Sequence, residues 1–445
     1  MNKYAKRFSG RLLLKEELQL TEPEFAWLCA ARKLIPRPSL VIKGLTSQCQ
    51  RCGNKTKHLF GMFNCVRCQK MHHYCRYCIQ MGRVMSCQPL YQWQGEAPCW
   101  PKIQEPLHWS GQLTVWQQAA AKRIEQAMTA EKEQLLVHAV CGAGKTEMLF
   151  NGIAKVLADQ RRVCLATPRA DVVRELVPRF QAAFPKTTIV GLYGGSGANH
   201  RTAQMTLTTT HQLFRYQQAF DVMIIDEVDA FPYHADPNLS YATNRALKQS
   251  GSLVYLTATP RPALLKKKIP TVFVPIRFHG HPLPVPTVVT IWQQISHRPP
   301  DVFWKWYKKR TSKARQLLIF TPTISQADQL AKVVAEQLKD KRVAAVHASD
   351  PDRIEKVQQF RDHQLDILVT TTILERGVTF PAVDVVVLNA DHRVFDQAAL
   401  VQIAGRAGRS PKDPTGQVVF IHNGLTHAIK QAVSAIRTMN KRAGL

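Results

Sequence analysis

Residues 137–147 read VHAVCGAGKTE. The apolar run Leu135 to Val140 has the look of a strand, and it ends in Gly142, Ala143 and Gly144. Lys145 and Thr146 come next, and helix-forming residues follow from Glu147. In a strand–loop–helix setting, small residues let backbone N–H groups close around phosphate oxygens. The helix N-terminus adds partial positive charge. Lys145 is expected to reach the β- and γ-phosphates of ATP and the Thr146 hydroxyl to ligate Mg²⁺. Gly142, Ala143, Gly144 and Glu147 complete the nucleotide-binding loop. One position departs from the full pattern, because Ala139 stands where a glycine is usual. A glycine-rich turn before a helix gives the same letters, so the downstream motifs decide between the two.

Those motifs occur in the order an ATPase needs. Residues 221–229, DVMIIDEVD, form an apolar run ending in acids. Ligands of open α/β sheets sit at the carboxyl ends of the strands. Asp226 is thus placed to hold Mg²⁺, and Glu227 to orient and deprotonate the attacking water. Thr257-Ala258-Thr259-Pro260 ends the next strand. In QIAGRAGR, residues 402–409, Arg406 and Arg409 are three apart and are expected on one helix face. A guanidinium reaching a γ-phosphate is an arginine finger, and Gln402 would help place the water. Thr370–Thr372 and then Glu375-Arg376-Gly377-Val378 follow another strand, where Gly377 lets the backbone approach a nucleotide. Thr167, Arg169, Thr210, His211, Thr321 and Thr371 lie at strand ends and are candidate contacts to a phosphodiester backbone. Gln117, in LTVWQ, is positioned to read an adenine edge; a capped helix start with a buried Trp116 is the plainer reading.

The 445 residues allow about three domains of roughly 150 residues each. No apolar run approaches the roughly 20 residues that span a bilayer. The apolar patch Leu12–Leu14 is too short for a secretory signal, so a cytosolic setting is expected. A net charge of +28 calls for a polyanionic partner, nucleic acid first and an acidic membrane surface second. The excess is spread along the chain, which fits a folded groove better than a basic tail.

Residues 1 to about 48 mix helical and extended signals. Trp27, Leu28 and Leu34 suggest packing, and Pro36 and Pro38 suggest a break. Eight of the 11 cysteines fall between 49 and 100, enough for at least one closed metal site. In a reducing setting, C-x2-C pairs read as tetrahedral zinc. Cys49/Cys52 pair either with Cys65/Cys68, at ribbon spacing, or with Cys75/Cys78; His72 and His73 lie close by as bystanders. After a linker at 101–112, strand-like runs alternate with helices at 134–140, 162–167, 187–193, 205–210, 221–226 and 252–258. A proline-rich break at 275–286 follows, and the alternation resumes at 315–321, 342–347, 365–371, 384–389 and 416–421. The fold class is α/β, with two parallel-sheet domains.

Taken together, GAGKT, ATPR, TTTH, DEVD, TATP, IFTP, TTTILERGV and QIAGRAGR resemble the superfamily 2 helicases and translocases. The resemblance implies two RecA-like domains forming a helicase core, with ATP clamped between them and single-stranded nucleic acid lying across both. GRLLLKEEL (10–18), CQRCG (49–53), YCRYCIQMGRV (74–84), AVCGAGKTEMLF (139–150), IIDEVDAFPY (224–233), RFHGHPLP (277–284) and IRTMN (436–440) are similar to the bacterial ComFA competence ATPases. That likeness implies a DNA-stimulated ATPase that drives single-stranded transforming DNA through the channel ComEC, alongside ComFC, with a homo-oligomer as a further possibility. It implies a cytoplasmic place, peripheral to the inner face of the cell membrane through partners. It also implies zinc on Cys49, Cys52, Cys75 and Cys78, with Cys65/Cys68 either replacing a pair or binding a second ion. The expected division is an N-terminal segment 1–48, a zinc module 49–105, an ATP-binding domain 106–275, a linker 276–295 and a helicase C-terminal domain 296–445. Two alternatives stand beside it. One is a PriA-like replication-restart helicase, whose cysteines would follow the first motor motifs. The other is a zinc-stabilised DNA-binding assembly factor with a vestigial ATPase, against which the intact Lys145, Asp226, Glu227, Arg406 and Arg409 argue.

Overall fold

The structure, a computed structural model, describes residues 2–44, 46–197, 202–293, 295–296 and 298–445. It divides into two compact units. One comprises Met1–Gln112, Gln118–Val137 and Thr146–Val272, the other Leu113–Gln117, His138–Lys145 and Phe273–Leu445.

Each expected strand is present. In the first sheet Ile189–Leu192, Met205–Thr209, Val163–Thr167, Phe220–Ile225 and Leu247–Thr257 lie side by side in parallel. Gln134–Ala139 and then Thr271–Val274 complete it. Every residue of Val163–Thr167 and Met205–Thr209 is buried. Sheets covered on both faces favour such continuous apolar runs over alternation. The second sheet runs Thr287–Thr290, Val418–His422, Val383–Leu388, Gln316–Phe320, Ile367–Thr370, Val343–Val346, parallel throughout.

Within these two sheets, two strands lie outside the expected set. Thr271–Val274 and Thr287–Thr290 are short, half-exposed edge strands. Pro270, Pro275 and Pro286 flank them and give the sequence the look of a break. Residues 287–290 therefore belong to the second sheet although they fall within the stretch 276–295 read as a linker.

The N-terminal 100 residues form one interlocked module, and strand pairing crosses position 48. Leu34–Arg37 and Leu12–Leu13 flank Leu90–Trp93 in an antiparallel sheet, and Leu40–Lys43 pairs with Thr46–Cys49. Pro36 sits inside an edge strand and does not break it. Leu28 and Leu34 are buried as expected, but Trp27 is 51% exposed.

This module is bonded to the first sheet's surroundings through arginines. Arg245, at the end of helix Pro237–Ala246, donates to four backbone carbonyls. Its Nη1 reaches Gln50 and Arg51 at 2.5 Å each, Nη2 reaches Phe214 at 2.7 Å and Nε reaches Tyr216 at 3.0 Å. Burial pushes the Glu17 carboxyl up, but Arg51 and Arg215, both 2.7 Å away, outweigh it and hold the group below its ordinary value. Gly53, at φ +77°, lies flat on the Tyr241 ring, where a Cβ would come within 2.5 Å.

Arg245→Ala removes a half-buried cation from four carbonyls at once. It is expected to cost about 3 kcal/mol, read as a lower denaturant midpoint, and to raise amide exchange in residues 49–54.

Candidate functional site

The phosphate-loop segment is shaped by its glycines and held by its neighbours. Gly142 and Gly144 have φ +78° and +69°, values that L side chains rarely adopt. The turn is thereby made after Val140, and Ala139 remains the last, fully buried residue of its strand. The usual glycine is not needed there. Gln117 Nε2 donates to the Ala143 carbonyl at 2.9 Å, and the Thr114 backbone N–H donates to Gln117 Oε1 at 2.8 Å. The buried Gln117 amide thus ties the start of helix Val115–Thr129 to the loop. Its neighbour Trp116 is 39% exposed, which corrects the expectation of a buried ring. Beyond Thr146 the chain makes a short 3-10 turn, Glu147–Leu149, and then helix Phe150–Ala158. The Glu147 carboxylate accepts from Arg179 at 2.5 Å.

Within the same unit, the loop segment meets the arginine motif. Cys141 Sγ donates to Gln402 Oε1 at 3.0 Å, and Gly405 lies so close to Cys141 that a Cβ would come within 2.5 Å. Helix Gln397–Ala404 ends at Gly405, so Arg406 and Arg409 lie in the turns beyond it and not on a helix face. Gly408, at φ +64°, bends the chain between the two arginines and packs so tightly on Pro414 O that a Cβ would come within 2.3 Å of it. Arg406 Nε donates to the Glu375 carbonyl at 3.1 Å, and Arg409 donates to Gly405 O at 3.0 Å and Thr379 Oγ1 at 3.3 Å. Gly377, φ +76°, turns the chain between Glu375 and Thr379.

Arg277 is a residue the motif reading missed. It is fully buried, its Cγ and Cδ approach Gly142, and its Nη1 donates to Gly408 O. Its Nε and Nη2 find no hydrogen-bond partner among the described residues. Burial pushes its pKa down to about 10. A buried guanidinium with donors to spare beside a phosphate loop is suited to an anion. The only sequence signal is RFHGHPLP, which no general motif interprets.

In the other unit, Asp226 follows strand Phe220–Ile225 directly. Its Oδ1 accepts from the Glu227 N–H at 2.9 Å, and Glu227 itself is left-handed at φ +53°. That backbone costs a non-glycine residue about 1–2 kcal/mol and turns the chain sharply after the acid pair. Thr146 and Asp226 offer hard oxygen donors of the kind Mg²⁺ takes. Asp229 accepts from Thr257 Oγ1 at 2.6 Å and Thr259 Oγ1 at 2.5 Å. The hydroxyls of TATP therefore lock the DEVD turn through its last residue, which the motif reading left without a role.

The strand-end candidates divide by exposure. Thr167, Thr210 and Thr321 have buried side chains, and Thr321 Oγ1 donates to the carbonyls of Thr323 at 3.2 Å and Thr370 at 3.4 Å. Arg169, His211 and Thr371 reach the surface. Any contact through the buried three would use backbone atoms.

The cysteines give a definite answer. Cys49, Cys52, Cys75 and Cys78 are all buried, with their four Sγ atoms within 4.8 Å of one another. Cys49 and Cys78 are 3.9 Å apart, Cys52 and Cys75 3.6 Å. Four thiolates around zinc at about 2.3 Å require edges of about 3.8 Å, so the set fits the ion. Asn54 Nδ2 donates to Cys75 Sγ at 3.8 Å from outside the cluster. Ribbon pairing with Cys65/Cys68 is excluded for this site.

Residues 1–92 match the Competence protein ComFA N-terminal domain, 110–262 the type III restriction enzyme res subunit, and 301–411 the helicase conserved C-terminal domain. Competence protein ComFA of Bacillus subtilis (strain 168) is 44% identical, covering 98% of this chain and 94% of its own. The chain belongs to the ComFA family. Competence protein ComFA of Streptococcus pneumoniae R6 is also 44% identical, over 84% of this chain and 87% of its own. The DEAD-box helicase Mss116, solved with single-stranded RNA and UDP-BeF, superposes with a TM-score of 0.53 at 17% identity, over 75% of this chain and 83% of its own. That likeness concerns the fold, two RecA-like parallel-sheet domains. The chain is thus a competence protein with helicase-family domains of the superfamily 2 ATPase type. Among the described residues no helix is long and apolar enough to cross a membrane.

Two outcomes are expected. Asp229→Asn gives one threonine hydroxyl a donor in place of an acceptor and should lower stability by about 1–3 kcal/mol in denaturant unfolding. Cys52→Ser should release the metal of the four-thiol site, with elemental analysis showing one zinc fewer per chain and amide exchange rising at 49–54 and 75–84.

Proposed function

We propose that this ComFA-family chain is an ATP-driven single-stranded DNA translocase that powers uptake of transforming DNA. The observation that carries the reading is the bond from Cys141, in the phosphate loop, to Gln402, in the arginine motif. It joins the segment that would cradle ATP to the one that would sense its γ-phosphate.

In this mechanism the N–H groups around Gly142, Ala143 and Gly144 cradle the phosphates, and Lys145 draws on the β- and γ-oxygens. Thr146 and Asp226 would hold Mg²⁺, which would supply charge neutralisation at those oxygens. Glu227 takes the proton of the attacking water while Gln402 orients it. Arg406 and Arg409 stabilise charge on the transferring phosphoryl group, and Arg277 adds a further buried cation beside the loop. Gln117 holds the Ala143 carbonyl of the loop and would read the adenine edge. Glu147 and Gly377 shape the rims of the nucleotide site. Thr167, Arg169, Thr210, His211, Thr321 and Thr371 track the DNA backbone, and the +28 charge raises its local concentration. The labour divides as 106–275 for ATP binding and 296–445 for the helicase C-terminal part, with 49–105 carrying zinc. ComFC and the ComEC channel are the partners this reading expects, with the chain held peripherally at the inner face of the membrane.

Steady-state ATP turnover, at one fixed salt concentration, with no nucleic acid, single-stranded DNA, duplex DNA or RNA tests the proposal. Stimulation by single-stranded DNA above the rest supports it. Equal stimulation by RNA, or DNA binding with no turnover, contradicts it. Lys145→Ala and Asp226→Ala should each lower turnover about 100-fold or more in a folded chain.

A further inference from the structure

The four-thiol site leaves a second set of metal donors unexplained, and these gather at the far end of one hairpin. Strands Phe60–Asn64 and Met71–Cys75 pair antiparallel, with Cys75 of the four-thiol site at one end. At the other end, residues 65–70 repeat the backbone of the first knuckle. In the first, the Cys49 N–H donates to Asn54 O at 3.0 Å and the Gly53 N–H to Cys49 O at 2.8 Å, with residue 53 left-handed at φ +77°. In the second, the Cys65 N–H donates to Lys70 O at 2.9 Å and the Gln69 N–H to Cys65 O at 2.8 Å, with residue 69 left-handed at φ +55°. The offsets are the same, and a glutamine is held where glycine is the ordinary choice. Local sequence alone gives no reason for that conformation.

The turn aims thiols as the first knuckle does. The turn sets Cys65 and Cys68 at the same offsets as Cys49 and Cys52, and Ser86, which bonds both His72 and the His73 N–H, leads directly into Cys87. Cys68 Sγ lies 3.0 Å from His72 Nε2. On the other side of the ring, His72 Nδ1 is 2.9 Å from Ser86 Oγ. Metal-binding imidazoles are oriented in this way, one nitrogen directed to the metal and the other fixed by an oxygen. Ser86 is placed by its own N–H on His73 O at 2.9 Å, which brings Cys87 alongside the tip. Cys68 is exposed and Cys65 and Cys87 are only partly buried, so no apolar core draws the three thiols together.

We propose that Cys65, Cys68, His72 and Cys87 bind a second structural zinc ion. Three thiolates and one imidazole complete a closed tetrahedral set. One ion then fixes each end of the hairpin.

Elemental analysis of the purified full-length chain, grown with zinc and desalted, should give two zinc ions per chain. Cys68→Ser and His72→Ala should each retain one. His72→Cys, which restores a donor, should return the count to two. Cobalt loading of Cys52→Ser should leave the visible spectrum of a site with three sulfurs and one nitrogen. A count of one in the unaltered chain, or of two in Cys68→Ser and His72→Ala, overturns the proposal. The unaltered chain alone distinguishes one ion from two, so the result stands even if a variant fails to fold.

Discussion

A phosphate loop has little side chain of its own, so its shape must be imposed from outside. Here the imposition comes through three backbone or near-backbone contacts. Gln117 Nε2 holds the Ala143 carbonyl at 2.9 Å, the Phe278 N–H holds the Gly142 carbonyl at 3.0 Å, and Cys141 holds Gln402 at 3.0 Å. A carbonyl fixed on the outer side of a tight turn obliges the neighbouring N–H groups to face inward. That is the condition for binding an anion without reorganisation. The same three contacts bring in chain from residues 113–117, 273–280 and 402–405. A lesion in any of these segments would therefore reach the loop while leaving its residues unchanged.

The sequence made the strands legible because burial on both faces leaves no room for polar alternation. Val163–Thr167, Met205–Thr209 and Val383–Leu388 are buried at every position and stand out as apolar runs. The motifs at their carboxyl ends were legible for the same reason, since a turn residue must follow where the run stops. Edge strands are the converse. Thr271–Val274 and Thr287–Thr290 each keep residues in solvent and sit among prolines, so their pattern is that of a linker. The end of helix Gln397–Ala404 was also hidden. Nothing local forbids a helix through GRAGR, and the left-handed Gly408 there packs on Pro414 O, six residues further on. Asp229 and Arg277 were missed because their roles are set by partners far along the chain.

The cysteines show where spacing runs out of information. Two C-x2-C pairs are compatible with the first, and spacing alone ranks the wrong one as well as the right one. What selects Cys75/Cys78 is the hairpin Phe60–Asn64 with Met71–Cys75, which folds back so that Cys75 returns to Cys52 at 3.6 Å. The intervening pair is carried to the opposite end of the same hairpin by the same pairing. The antiparallel register that builds one site thus necessarily removes Cys65/Cys68 from it.

The module so formed is more than an appendage. Arg245 draws its four acceptors from both sides, Gln50 and Arg51 in the first knuckle and Phe214 and Tyr216 after strand Met205–Thr209. Arg51 and Arg215 approach one carboxylate, Glu17, from the same two sides. A half-buried cation shared between two structures penalises their separation twice, since each loses partners and the charge is left without them. Order in the first knuckle is therefore coupled to order in the segment after Thr210. That segment follows a strand whose end carries a candidate DNA contact. The four-thiol knuckle and the segment after Thr210 consequently cannot be treated as independent elements of this fold, because one guanidinium holds carbonyls of both.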